Sequence, residues 1–349
     1  MKLIRHIILI LTLAMLLGAV SCVEKEEPKT KTYYEYFDTV CHISSYRDNE
    51  SKESFSETCA ELENIMKSYH RLLDIYREYD GISNLATVNK NAGLSPVRVS
   101  RELIELLIYA KNICSLTEGE VNVAMGAVLS LWHSCREVAE DDPSAAAIPS
   151  KEALSKAAEH ISIDAVEIDE KASTVYINDK DARIDVGAIG KGYVAERVAE
   201  KLEEKGISSY VLNFGGNIRA VGSKPDGEGW ITGITDPDTQ SAQAFAARIR
   251  LSDASCVTSG SYERYFTVNG KNYHHIIDKD TLYPSEYFAS VSVITRDSAL
   301  ADALSTALFS MTYEEGLDLC RKIGGVDAIW IRIDGTLLMT DGVNEILMK

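Results

Sequence analysis

Between Arg183 and Tyr193 the chain reads RIDVGAIGKGY, a β-rich run that breaks into three glycines and one lysine before helix-forming sequence begins. A junction of this kind restricts the fold tightly, because it brings backbone N–H groups and the positive end of a helix dipole toward an anion such as phosphate. The spacing is not that of a P-loop, which wants glycine where Asp185 stands and Ser or Thr where Gly192 stands. A dinucleotide-binding reading is nearer, since Gly190-x-Gly192-x-x-Ala195 fits the looser fingerprint, yet the next strand closes on Asn213 and not on an acid. Taken alone, the segment reads equally well as a glycine turn with a solvated lysine.

The net charge of −17 over 349 residues sets the terms for any phosphate chemistry. Nucleic-acid binding is led by clustered Lys and Arg, so that class is set aside. An acidic chain that handles phosphate needs local cations: a metal, a placed lysine or helix N-termini. With 45% hydrophobic and 26% charged residues the composition is that of a soluble domain with a real core, and multiple membrane spans are excluded.

Lys2 and Arg5 precede an apolar run, Ile7 to Val20, that is 14 residues long. This fits a signal-peptide core and falls short of a spanning helix. It ends in Leu17-Gly18-Ala19-Val20-Ser21-Cys22, which resembles a bacterial lipoprotein signal with Cys22 as the lipidated residue. Residues 1–21 are therefore expected to be removed, 22–32 to act as a charged tether, and 33–349 to form the folded domain, anchored outside the cytoplasm. The remaining cysteines, Cys41, Cys59, Cys114, Cys135, Cys256 and Cys320, are widely spaced without any CxxC and are expected to be buried thiols.

Periodicity predicts helices over 56–74, 101–115, 193–205, 298–311 and 313–323. Strands are expected over 33–46, 166–169, 174–177, 182–186, 209–213, 230–235, 245–251, 263–268 and 290–295, with a closing hairpin over 327–339 and a surface loop over 137–150. Strands do not alternate regularly with helices, which points to an α+β fold with mixed β-sheets packed by helices.

Four further segments carry chemistry. Asn213-Phe214-Gly215-Gly216-Asn217 is a second glycine turn, and Val257-Thr258-Ser259-Gly260-Ser261-Tyr262 sets small hydroxyls around another glycine. Tyr273-His274-His275-Ile276-Ile277-Asp278 offers imidazoles and a carboxylate, but too few ligands for a zinc site by local spacing. On the alanine-rich helix that Asp297 or Ser298 can cap, Asp302, Ser305 and Thr306 share a face at i, i+3 and i+4. Such hard oxygens suit magnesium, which leaves positions open for phosphate and water.

The motifs DVGAIGKGY, NFGGN, VTSGSYERY, YHHIID and ADALSTAL, in this order, resemble those of the ApbE-type FAD:protein FMN transferases over nearly all of the mature chain, from Phe37 to Thr306. The resemblance implies an ApbE-like fold and a reaction in which FAD is split at its pyrophosphate. FMN is joined by a phosphoester to a Thr or Ser hydroxyl of an acceptor protein, and AMP is released. Carried over by motif, Asp302, Ser305, Thr306 and the carbonyl of Ala188 would hold Mg2+. Asp185 and Lys191 would contact FAD, Phe37 and Tyr76 would lie against it, and Ile276 would line the pocket. Ala124, Met125 and Gly126 would give backbone contacts, in a segment where Asn122, Ala124 and Ala127 replace the family's usual Asp, Thr and Pro. Phe37-Asp38-Thr39 stands where the family often has Met-Gly-Thr, and Lys279 replaces a usual Pro. His275 or Asp302 would accept the acceptor's proton. The implied partner is a flavin-carrying subunit of a membrane redox complex (Rnf/Nqr-like), modified at a threonine in a Ser/Thr-Gly-Ala-Thr context. Rival readings are an FAD pyrophosphatase that uses water, a non-catalytic FAD-binding lipoprotein, and a chain that itself carries FMN on Thr258 to Ser261.

Overall fold

Along Asp327–Ile331, Ala328 and Trp330 point into one apolar cluster and Ile329 and Ile331 into another, so the sheet holding this strand is covered on both faces. The same alternation separates Val257 from Cys256 and Val293 from Ile294. In the computed structural model, which describes residues 27–238, 240, 241 and 243–348, these strands belong to one eight-stranded sheet. Its spatial order follows the chain: β1 (Lys29–Tyr33), β2 (Cys41–Ser45), β3 (Tyr210–Phe214), β4 (Asn217–Val221), β5 (Ser255–Gly260), β6 (Ser290–Thr295), β7 (Asp327–Ile331) and β8 (Leu337–Met339). The helices that build the main core on one face include α1 (Lys52–Leu73), α2 (Arg101–Leu116), α4 (Gly190–Glu204) and α5 (Ser298–Phe309). The hairpin Trp230–Thr235/Phe245–Leu251 closes the other face. A satellite cluster joins Val128 and Trp132 of α3 (Gly126–Asp141) to Phe266 and Ile277.

The α+β expectation holds, but among the described residues every pairing between strands is antiparallel, so these sheets are antiparallel and not mixed. Sheet neighbours are consecutive in this sheet, and the helical excursions return each strand beside its predecessor in the opposite sense. The tether expectation is corrected at its end: Lys29–Thr32 belong to β1, paired with β2 in register Lys29↔Ser45 to Tyr33↔Cys41. Charged and threonine side chains suit this edge strand, where one face is half exposed. The cleavage and lipidation expectations at residues 1–21 and Cys22 lie outside the described residues. Residues 137–141 continue α3 instead of opening a loop, and 182–186 make only a single bridge, Arg183 to Met125. The cysteines from Cys41 to Cys320 are free thiols, all buried except the half-buried Cys135.

Local chemistry explains the helix ends that were placed well. Ser100 caps α2, Asp297 caps α5 by accepting from Ala299 and Leu300 N–H, and Thr312 with Glu315 forms a capping box on α6 (Tyr313–Ile323). The crossing of α4 on α5 needs a glycine. A Cβ at Gly192 would stand 2.3 Å from Asp302 Cβ and 2.3 Å from Ser298 O. Gly192→Ala is expected to destabilise the protein by about 3 kcal/mol, as overpacking between two rigid helices does, measured as a lower urea midpoint at unchanged m-value. One turn along α4, Glu196 accepts from Ser298 N–H at 2.7 Å and from buried Arg219 Nε at 3.2 Å, which fixes the start of α5 against α4.

Candidate active site

The residues singled out in sequence come from distant segments, and the fold gathers them around one cleft of about 960 Å³ between the main core and the satellite cluster. This is room for a dinucleotide-sized molecule. Phe37, Tyr76, Met125, Asp185, Ala188, Lys191, His275, Ile276, Asp302 and Thr306 all line it. Ala124, Gly126 and Ser305 are buried behind its wall. Ala124 and Gly126 therefore support the wall without reaching the cleft: Gly126 N–H donates to Arg183 O at 3.1 Å, and Asp185 N–H to Val123 O at 2.8 Å. Asn122 locks this turn, with Oδ1 accepting from Ala124 N–H and Nδ2 donating to Ile161 O, so its departure from the family pattern leaves the segment fully bonded.

The glycine junction is built differently from the expectation that its amides face an anion. Gly190 N–H donates to Val186 O, and Gly192 N–H donates to Asp302 Oδ2 at 2.7 Å. Positive charge on this wall comes instead from Lys191, whose Nζ lies 4.0 Å from Asp302 Oδ1. Asp302 is 4% exposed, and burial raises its carboxyl above the usual range while Lys191, the Gly192 amide and Asn217 pull it back down. A buried carboxylate beside a single lysine has charge to spare for a cation, and Thr306 and Ala188, a hydroxyl and a backbone carbonyl, line the same cleft; the residues present fit magnesium. Asp185 is likewise raised by burial and eased by the Gly187 N–H and by His133.

His275 follows directly on the short hairpin Tyr265–Val268/Lys271–His274. Its side chain opens onto the cleft, with Nδ1 3.3 Å from Arg264 O, which leaves Nε2 as the acceptor. His275 is exposed to solvent at the cleft, yet desolvation by the surrounding walls, followed by the charges of Arg264, Lys191 and His274, pushes the imidazole down to about 3. His274 and Asp278 serve the backbone. His274 Nε2 donates to Ser285 O while its Nδ1 accepts from Ile276 N–H, and Asp278 accepts from Asp280 and Thr281 N–H. The three side chains do not converge on a zinc site. Among the described residues, the metal-competent trio that does converge is His160, Asp179 and Asp181, where His160 Nδ1 already pairs with Asp179 at 2.7 Å.

Phe37 and Asp38 both take left-handed backbone, φ 58° and 49°, at the cleft edge where the family pattern often has a glycine. Phe37 N–H donates to His70 Nδ1, its ring stacks on Phe214 at 6.4 Å, and Arg264 Nη2 donates to Asp38 O at 2.9 Å, which together hold the conformation. Tyr76 stands 5.2 Å from the His133 ring. Sequence reasoning missed His70, His133 and Arg136, single residues on helices α1 and α3 with no local motif around them. Ser259 also lines the cleft, from the penultimate position of β5, before Gly260.

The profile of the ApbE family matches residues 37–330, from the strained Phe37 through the motif helices to the sheet strand β7. This chain belongs to the ApbE family. A protein of Treponema pallidum named FAD:protein FMN transferase is 33% identical over 87% of this chain and 85% of its own length. A protein of the same name from Klebsiella pneumoniae is 32% identical over 79% and 82%. Among solved structures, the ApbE protein of Thermotoga maritima superposes with a TM-score of 0.80 at 25% identity, covering 93% of this chain and 100% of that one. The Pseudomonas stutzeri flavinyl transferase ApbE superposes at 0.74 with 24% identity over 91% and 96%, which supports the fold.

Proposed function

We propose that this chain is an FAD:protein FMN transferase. It would split the FAD pyrophosphate and join the FMN phosphorus to a Thr or Ser hydroxyl of an acceptor flavoprotein, releasing AMP. The observation that carries this reading is the set of groups lining one dinucleotide-sized cleft: Asp302 and Lys191, paired at 4.0 Å, together with a neutral imidazole, His275. Asp302, Thr306 and the Ala188 carbonyl would hold Mg2+, with Ser305 behind them; the ion would neutralise charge on the pyrophosphate and make phosphorus more electrophilic. Lys191 adds a fixed positive charge beside the same phosphates. Asp302, already accepting from Gly192 and needed for the cation, is poorly placed to take a proton, so the base is His275 through Nε2. The acceptor oxygen forms its bond to the FMN phosphorus, the bond to the AMP oxygen breaks, and the hydroxyl proton passes to His275.

The acceptor reading follows the family: a flavin-carrying subunit of a membrane redox complex of the Rnf/Nqr type. Lipidation at Cys22 would hold the domain on the outer side of a bacterial membrane, where such subunits present their threonines. Because His275 is open to the cleft, water can reach the same position, which favours slow FAD hydrolysis as the second reading.

The deciding experiment is intact-mass spectrometry of an acceptor domain with a Thr-Gly-Ala-Thr segment, incubated with residues 22–349, FAD and Mg2+. The expected result is a mass gain of FMN less water on the acceptor, lost on chelation or when the acceptor threonine is replaced by alanine. An unmodified acceptor with accumulating AMP and free FMN would favour the pyrophosphatase; intact bound FAD without products would leave a binding protein.

A further inference from the structure

The hydroxyl protons beside Asp302 can be followed one by one. Ser305 is fully buried, and its hydroxyl donates to the Asp302 carbonyl at 2.9 Å, the back-bond that serines make inside helices. Ser259 Oγ, on β5, lies 2.8 Å from Ser305 Oγ. A serine has one proton to give, and that of Ser305 is committed, so the proton between the two oxygens belongs to Ser259. Ser259 lines the cleft and Ser305 does not. The oxygen that Ser259 turns toward the cleft therefore carries lone pairs only. Thr306 Oγ1, also on the cleft wall, lies 3.5 Å from it. An oxygen without a free proton, lining the same cleft as the Asp302 carboxylate and Thr306, attracts a cation and disfavours direct contact with phosphate oxygens.

We propose that Ser259 is the serine oxygen that faces the divalent cation, and that Ser305 is a positioning residue that directs the Ser259 proton inward. The inference rests on the magnesium reading above and changes its donor set to Asp302, Ser259, Thr306 and the Ala188 carbonyl. It also explains how a serine at position 305 serves in a site of this charge: its task is orientation, carried out from behind the wall.

The test is calorimetric titration of Mg2+ alone into the FAD-free protein. Ser259→Ala is expected to weaken binding about tenfold or more and Ser305→Ala by about threefold or less, as loss of a ligand and of an outer partner respectively, with Ser259→Thr restoring affinity. A second readout does not depend on Mg2+ affinity or turnover. Ser259→Cys should give a thiolate-to-metal absorption band with Cd2+, a softer ion, and Ser305→Cys should not. Equal affinities for the unaltered protein and Ser259→Ala, or a Cd2+ band from Ser305→Cys alone, would overturn the assignment while leaving the magnesium site standing. No Mg2+ uptake by the unaltered protein would overturn both.

Discussion

Asp302→Ala is expected to lower FMN transfer by about a thousandfold or more, the scale seen when a preorganised electrostatic element is removed from a phosphoryl-transfer site. Asp302 is the one carboxylate among the cleft oxygens drawn around the cation, and no neighbouring hydroxyl can replace its charge. The alanine also leaves the Gly192 N–H without its acceptor at a cost of about 1–3 kcal/mol, so the informative companion is Asp302→Asn, whose amide oxygen can still accept that bond. Burial raises the Asp302 carboxyl, so the folded state holds the proton more tightly than the unfolded chain does. Stability from this group is present below the ordinary carboxylate pKa and is lost as pH rises through the raised value. At neutral pH without metal, Asp302→Asn should therefore melt higher than the unaltered protein while being inactive. Added Mg2+ should raise the melting temperature of the unaltered protein only, by the usual mass-action increment. Differential scanning calorimetry with and without Mg2+, beside single-turnover AMP release, reads all three outcomes. Full activity in Asp302→Ala would move the metal elsewhere.

His275→Ala is expected to reduce the transfer step by about a hundredfold to ten-thousandfold, the range for loss of a general base, with little change in FAD affinity. Its distinguishing mark is the pH profile. An ordinary histidine base loses activity below about pH 6.5, but the His275 pKa is pushed down to about 3, so the acid limb due to this group should fall well below that range. The same depression links to stability. The unfolded histidine takes up a proton as pH falls below 6.5 while the folded one stays neutral, so stability present above that pH is lost progressively toward the folded value near 3. The variant should shed this part of the acid sensitivity. Stopped-flow rates between pH 4 and 9 test the first point, and urea melts over the same range the second. An unchanged transfer rate in His275→Ala would place the base on another group.

The extent to which this site is legible in sequence depends on how local each determinant is. Helix Tyr313–Ile323 is placed to the residue because its capping box lies within one turn, and the DVGAIGKGY, YHHIID and ADALSTAL segments are recognisable as short strings. Strand β5, Ser255–Gly260, is read only as a small-residue glycine segment, since its place comes from pairing with β4 and β6 and not from its own propensity. The side chains of Phe37 and Asp38 do not themselves announce left-handed backbone, because His70 and Arg264, which hold it, are far away in the chain.

Helical spacing puts Asp302, Ser305 and Thr306 on neighbouring positions, and that much follows from the sequence through a 3.6-residue period. Which of them meets the cleft does not, because the rotation of α5 is set by Gly192 on one side and by Ser259 and β5 on the other. The order of chemical groups along the chain was thus determined by sequence alone: a lysine between two glycines, an imidazole before Ile276, a carboxylate on an alanine-rich helix. The tertiary structure decided which atoms face one another, turning Gly192 N–H to Asp302, burying Ser305 and presenting Ser259. Close packing allows a glycine-lined helix crossing only one tight arrangement, and no local pattern encodes it.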